Sequence, residues 1–123
     1  MYIAILFLFA FTQQESTVDK FEIAIVKQDA KVVTDLCDSF VEIETNKEDK
    51  VTSKSQAGSI IKDFFEAYPV KTFEYIHQGK SPGGAQYAIG TYVSKQGDQF
   101  RVVIKMKSVG GKLLLEAIKF SPE

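Results

Sequence analysis

The sequence has few of the residues that most often carry chemistry. Its 123 residues include one cysteine, one histidine, three prolines and no tryptophan. A single cysteine, Cys37, allows no internal disulfide, and one histidine with one cysteine cannot complete a zinc site. The sequence therefore predicts no metal site and no cofactor.

Neither sign of charge dominates the chain. Fifteen basic residues stand against sixteen acidic ones, for a formal net charge of -1. No overall field would therefore concentrate nucleic acid or an anionic membrane at the surface. Lys105, Lys107 and Lys112 cluster only locally, so we predict no nucleic-acid partner.

A long apolar run occurs at the N-terminus, in "MYIAILFLFAFTQQES". It is too short for a stable membrane anchor, which needs about 20 apolar residues, but long enough for a signal peptide. We predict a signal peptide over residues 1–12, a single domain over residues 13–123, and export to the periplasm or medium. Only the α-amino group of Met1 is basic here, which fits a truncated start; the alternative is a buried N-terminal strand or helix.

Two amphipathic helices are predicted next, over Thr17 to Gln28 and over residues 29–40, with Asp29 as the cap of the second. Apolar residues of the second recur at helical spacing: Val33, Leu36, Cys37 and Phe40. A thiol on such a buried stripe behaves as a small hydrophobe and has a raised pKa. Cys37 is therefore interpreted as a core residue. It cannot be a lipid anchor, because that cysteine must directly follow the signal.

The third predicted helix has the clearest boundaries. Ser53 and Gln56 fit a capping box, an apolar stripe follows, and Pro69 ends the helix. Before it, the alternation in "FVEIET" predicts a short half-buried strand from Phe40 to Thr45, and "NKEDK" is typical of a charged turn.

Four strands are predicted from residue 71 onwards, with sequences "KTFEYIHQ", "AQYAIGTYVS", "QFRVVIKMKS" and "KLLLEAIKFS". Short glycine-containing connections predict an antiparallel meander. A period of two places Phe73, Tyr75 and His77 on one face of the first strand. The predicted fold class is α+β, with N-terminal helices packed on a curved antiparallel β-sheet.

The order of these elements resembles the cone-shaped nuclear transport factor 2-like fold. The strings "SKSQAGSIIKDFFEAYPVKTFEYIHQG", "YAIGTY", "FRVVIKMK" and "GGKLLLEAIKF" resemble a family of small exported bacterial proteins, domain of unknown function 4783. The resemblance implies a pocket between sheet and helices, which isomerases and dehydratases of this fold use for catalysis. It implies no reaction here, because fold alone does not fix function.

The residues that could line such a pocket are Tyr75, His77, Tyr87 and Glu116. His77 could act as a base, the tyrosines as hydrogen-bond donors, and Glu116 as a carboxylate if it shares the inner face with Leu114 and Ile118. The structural alternatives are a histidine beside a turn, cross-strand packing tyrosines, and a glutamate paired with Arg101. No catalytic residue is assigned.

Two functions remain open on the sequence. The first is an exported binding or interaction module, with a small apolar ligand in the cone or a homodimer through the outer sheet face. For that dimer, Tyr92, Val103 and Leu113 are predicted to point outward together. The second is a small isomerase or dehydratase that uses the cone pocket.

Overall fold

The computed structural model describes residues 16–123, so the predicted signal peptide lies outside the described residues. Within them, no helix has the length and apolar character needed to cross a bilayer. The elements in chain order are α1 (Thr17–Lys27), α2 (Ala30–Leu36), β1 (Cys37–Glu44), β2 (Asp49–Ser53), α3 (Lys54–Ala67), β3 (Val70–Lys80), β4 (Gln86–Ser94), β5 (Gln99–Val109) and β6 (Lys112–Pro122).

The described strands form one six-stranded sheet in the order β2-β1-β6-β5-β4-β3. The last four strands make the antiparallel meander that the sequence predicts. β1 returns to the sheet parallel to β6, which makes the sheet mixed. The α+β class is confirmed, with three helices packed on one face of this sheet.

Two boundaries differ from the predictions. The second helix ends at Leu36, and Cys37 already has an extended backbone with φ -81° and ψ 150°. Cys37 is nevertheless buried, and its thiol donates to the carbonyl oxygen of Val33 at 3.2 Å. Phe40, which ends the predicted helical stripe and begins the predicted strand, lies in β1, and it is 68% exposed because strand alternation places it in phase with Glu42 and Glu44.

The sequence does not predict strand β2. Its first residues, Asp49 and Lys50, belong to the segment that the sequence indicates as a charged turn. The strand pairs antiparallel with β1 and forms one edge of the sheet, and β3 forms the other. An edge strand with one buried side chain gives little apolar periodicity, so pairing with β1 decides its conformation.

The core lies between the helices and the inner face of the sheet. The inner-face residues of β5 are those that period two predicts: Phe100, Val102, Ile104 and Met106 are all buried. From α3, Ile61, Phe64 and Phe65 pack against them.

Candidate functional site: the cone interior and the outer face of the sheet

The space between the sheet and the helices is filled by aromatic side chains. Phe64 of α3 stands at the centre, with its ring centroid 4.2 Å from that of Phe120, 4.9 Å from Phe100 and 5.4 Å from Tyr92. Tyr68 extends this cluster, at 5.1 Å from Phe64. These rings occupy the space between sheet and helices in which the resemblance implied a pocket.

The polar atoms of the interior are also satisfied. In residues 16–123, no buried side-chain nitrogen or oxygen lacks a hydrogen-bond partner. Tyr92 donates its hydroxyl to the carbonyl oxygen of Tyr68, and burial raises the pKa of this phenol to about 12. An interior ligand would find no free donor or acceptor among these groups.

A small groove remains at one end of the cone, between the β1–β2 turn and the last turns of α3. Its volume is about 80 Å³, and its apolar floor is formed by Ile60, Phe64 and Tyr68. The amide nitrogen of Asn46 donates to the Tyr68 hydroxyl at 2.7 Å and closes one side. This volume is far below the roughly 300–1,000 Å³ of ordinary small-molecule sites. A more open depression adjoins it on the other side of Tyr68, bordered by Phe100 and Pro122, and its volume is about 460 Å³.

A bulge separates the predicted pocket residues of β3. Tyr75 lies opposite Gly90, but His77 lies opposite Ile89, because Ile76 is inserted between them. Since consecutive residues of β4 face opposite sides, the prediction that Phe73, Tyr75 and His77 share a face is wrong: the bulge reverses the alternation at His77.

Tyr75 therefore lies on the inner face of the sheet. Its hydroxyl donates to the carbonyl oxygen of Val18 in α1 at 2.7 Å. Burial, with a smaller contribution from Glu22, raises the pKa of the Tyr75 phenol well above its ordinary value. The side chain joins α1 to β3, and its one proton is already donated.

His77 and Tyr87 lie together on the outer face. The His77 Nε2 atom is 3.0 Å from the Tyr87 hydroxyl, and the ring centroids are 5.5 Å apart. Tyr87 also covers Gly79, where an added Cβ would stand 2.5 Å from its hydroxyl oxygen. This exposed pair is separated from Tyr75 by the sheet itself.

Glu116 is placed by a second bulge. Lys105 pairs with Ala117 and Met106 with Leu115, so Glu116 is inserted in β6. It therefore does not share the inner face with Ile118, as the sequence suggested, but lines a groove on the outer face. Arg101, its suggested partner, instead binds Glu123 at 3.0 Å.

The outer groove is the feature that the sequence did not reveal. It is lined by Phe40, Glu42, Val51, Lys105, Lys107, Glu116 and Ala117. Phe40 and Val51 are diagonal neighbours on β1 and β2, and they are 68% and 69% exposed. In the sequence "FVEIE", Phe40 stands two residues before Glu42, so strand alternation places both side chains on the same face. This spacing is the signal that could have located Phe40 on the outer face.

Ion pairs line this face of the sheet. Lys107 Nζ lies 3.1 Å from the Asp38 carboxylate, and Lys119 Nζ lies 3.2 Å from Glu42. The Ser39 backbone N–H and Lys107 hold the pKa of the Asp38 carboxyl below its usual range.

The prediction that Tyr92, Val103 and Leu113 point outward together is wrong for two of these three residues. Tyr92 is fully buried, and Leu113 packs against the core. This leaves Val103 as the member that lies on the outer face.

The described residues contain no group of three or more histidine, cysteine, aspartate or glutamate side chains that could hold a metal ion. Nor do Tyr75, His77, Tyr87 and Glu116 converge. The structure thus gives an interior filled by its own side chains and an outer face with exposed apolar groups.

This arrangement of a six-stranded sheet around three helices is the nuclear transport factor 2-like cone. A protein named Rd1NTF2_04 with long sheet has a TM-score of 0.70, at 16% identity over 85% of this chain and 96% of that one. A cystatin-like-fold protein of unknown function from Nostoc punctiforme has a TM-score of 0.69, at 11% identity over 87% of this chain and 86% of its own.

The family is shown by sequence. The model of the Domain of unknown function (DUF4783) matches residues 18–121, so the chain belongs to this family. A DUF4783 protein from Bacteroides fragilis YCH46 is similar in structure, with a TM-score of 0.77 and 20% identity over 85% of this chain and 96% of its own. No curated protein matches the sequence.

Proposed function

We propose that this protein is a non-catalytic interaction module that binds another protein through the outer face of its sheet. The observation that carries the proposal is the contrast between the two faces. Aromatic rings fill the inner side, whereas Phe40 and Val51 expose apolar surface beside the groove on the outer side. Exposed apolar side chains rimmed by polar residues are typical of protein-binding surfaces.

The composition of the groove favours a protein surface as the ligand. It combines an aromatic side chain, Phe40, with lysines and glutamates on its rim. Interfaces commonly place aromatic anchors at the centre and polar groups around them. The groove is an open depression between strands, whereas small-molecule sites are concave and bury most of their ligand.

The positions of the candidate side chains do not favour the enzymatic alternative. Tyr75 is on the inner face and donates to Val18, whereas His77 is on the outer face with Tyr87. A general base and a hydrogen-bond donor must both reach one substrate. Nor does the proposal of a small apolar ligand in the cone gain support from an interior packed by Phe64 and its neighbours.

Photo-cross-linking in the organism that encodes the chain tests the interaction proposal. A benzoylphenylalanine placed at position 40 of the full chain keeps an aromatic side chain at the groove, and one at Val26, exposed on α1, serves as the matched control. We expect light-dependent protein adducts from position 40 and none from position 26. An absence of protein adducts at position 40, or equal adducts at both positions, would contradict the proposal.

We further propose that the protein acts outside the cytoplasm, on the basis of the apolar segment before residue 13. N-terminal sequencing of material recovered from the periplasm or medium tests this point. We expect a chain that starts at Gln13, and exported material that still carries Met1 would contradict the cleavage.

A further inference from the structure

Strand β2 forms a free edge of the sheet, and its pairing with β1 shows which of its backbone groups point away from β1. The N–H of Thr45 donates to the carbonyl oxygen of Glu48 at 2.8 Å across the turn between these strands. From this pair the register continues without a shift to Asp49 and Val51, the first and third residues after Glu48. Hydrogen-bonded and non-hydrogen-bonded pairs alternate in an antiparallel ladder. The N–H and C=O groups of Asp49 and Val51 therefore point to the free edge.

This edge is open in the described part of the chain. Asp49 and Val51 take no part in the backbone hydrogen bonds that residues 16–123 form outside their regular helices and strands. Both residues are exposed, as is Lys50 between them. Natural edge strands often resist further pairing by a bulge or a proline, and β2 has neither. The opposite edge, β3, is interrupted by its bulge at Ile76, so β2 is the edge better suited to accept another strand.

Two carboxylates beside this edge have no basic partner. Glu44 and Asp49 lie directly opposite each other on β1 and β2. Side chains approach most closely in a non-hydrogen-bonded pair, and like charges at such a position are unfavourable. Among the described residues, ion pairs engage Glu42 and Glu48 but neither Glu44 nor Asp49. A basic side chain that arrives beside Asp49 would offset this repulsion.

We propose that the partner of this protein presents an extended segment that pairs antiparallel with the free edge of β2. This inference rests on the proposed function and names the kind of segment that binds. One residue of the segment exchanges two backbone hydrogen bonds with Val51, and the residue two places further along lies opposite Asp49. Side chains that lie opposite each other share a face of the sheet. The segment therefore carries an apolar residue beside Val51 and, two places later, a basic residue beside Asp49.

The apolar residue of the segment continues the exposed apolar surface of the outer face. Phe40 is the diagonal neighbour of Val51 on that face. A side chain that packs on Val51 from the edge side thus leaves the partner close to Phe40. Strand addition supplies affinity through backbone hydrogen bonds, and the side chains beside the edge supply specificity.

Charge favours a different protein over a second copy at this edge. Within β2, the alternation of pairs points the backbone groups of Asp49, Val51 and Ser53 to the free edge. A second copy that paired through its own β2 would have only these residues to place opposite Asp49, and none of them is basic. Complementary charges across an interface fix its register, so the acidic pair selects a partner that brings a lysine or arginine.

Titration of a blocked hexapeptide, Thr-Thr-Val-Thr-Lys-Thr, into the full chain tests the proposal by NMR. We expect chemical-shift changes and slower hydrogen exchange at the amides of Asp49 and Val51. N-methylation of the peptide valine removes the N–H that meets the Val51 carbonyl oxygen and should weaken binding by about tenfold. N-methylation of the threonine that follows the valine is the matched control. Its N–H points away from β2, so this change should have little effect.

Val51→Pro removes the N–H at the free edge, keeps an apolar residue and removes no hydrogen bond to β1. It should abolish binding of the hexapeptide, whereas Val51→Ala, which keeps the N–H, should weaken binding by about threefold. Circular dichroism verifies that both variants are folded. Asp49→Lys should reverse the charge preference, so that the peptide with glutamate in place of lysine binds better than the original.

An absence of amide shifts at Asp49 and Val51, or equal weakening by the two N-methyl groups, would overturn strand addition to β2. Photo-cross-linking separates this result from the proposed function. Protein adducts from position 40 should disappear in the Val51→Pro background. Adducts that persist there would support the outer face as the binding surface but contradict strand addition, and adducts that join two copies of this chain would contradict a different protein as the partner. If position 40 gives no adduct in any background, the proposed function fails, and the peptide titration alone decides whether β2 accepts a strand.

Discussion

Gln28 is the residue that joins the end of α1 to the start of β3. Its backbone has φ 56°, in the left-handed region that ends α1. Its side-chain amide donates to the Ile25 carbonyl oxygen at 2.7 Å, and its Oε1 accepts from the Val70 N–H at 3.1 Å. Sequence reasoning treats Gln28 only as the end of a helix, because Val70 is distant in the chain.

Replacing Gln28 with glycine separates its two roles. Glycine relieves the left-handed backbone, which by itself would stabilise the fold, but it leaves the Val70 N–H without its acceptor. We expect a net loss of about 1–2 kcal/mol in the free energy of unfolding, measured by urea denaturation. A more stable Gln28→Gly protein would show that the side-chain bonds contribute little.

Cys37 gives a prediction about alkaline pH. Burial raises the pKa of its thiol from 9.0 to about 12, and the charge of Lys54 only partly offsets this. The folded state therefore holds the proton more tightly than the unfolded state. This contribution to stability is complete below pH 9 and is lost as the pH rises towards 12.

The measurement compares wild type with Cys37→Val by urea denaturation at about pH 8 and about pH 11, on either side of the ordinary thiol pKa. Valine is close in size and does not titrate, so the decrease in stability between the two pH values should be smaller in the variant. The ionisation of other groups affects both proteins equally and cancels in the difference. Equal decreases would mean that the thiol ionises as easily in the folded protein as in the unfolded one.

Among the elements, α3 shows what local sequence determines. Ser53 accepts a hydrogen bond from the Gln56 N–H at 3.3 Å, as the capping box predicts, and the helix ends at Ala67 before Pro69. Ser53→Ala should lower the free energy of unfolding by about 1 kcal/mol, measured by urea denaturation. Ser55→Ala, at an exposed position inside the same helix, is the control and should change stability little. Equal effects of the two substitutions would mean that the Ser53 cap makes no specific contribution to the stability of α3.

The strands show where local sequence no longer predicts which face of the sheet a side chain lies on. Period two predicts the inner face of β5 correctly, because that strand pairs regularly along most of its length. It fails at Ile76 and Glu116, where β3 and β6 each insert one residue and the faces are reversed. No residue type marks these two bulges, since pairing with the neighbouring strand creates them. The candidate site is therefore predicted less well than the fold, because His77 and Glu116 both lie on the side of the sheet opposite to the predicted one.

At the scale of the whole molecule, the two sides of the sheet differ in what covers them. The helices and the inner face make one continuous core that includes Phe21, Phe64 and Phe120. The outer face has no helix over it in the described part of the chain, and it exposes Phe40 and Val51. Burial of such apolar area on association contributes roughly 25 cal/mol for each Å², which would drive association through this face.

The most direct test of this account is a photo-cross-linking scan of the full chain in the organism that encodes it. Benzoylphenylalanine is placed at Phe40 on the outer face, at Lys47 beside the groove at the end of the cone, and at Val26 on α1, all of them exposed positions. We predict light-dependent protein adducts from position 40 and none from positions 47 and 26. Adducts from position 47 with none from position 40 would contradict the central claim that the outer face is the binding surface.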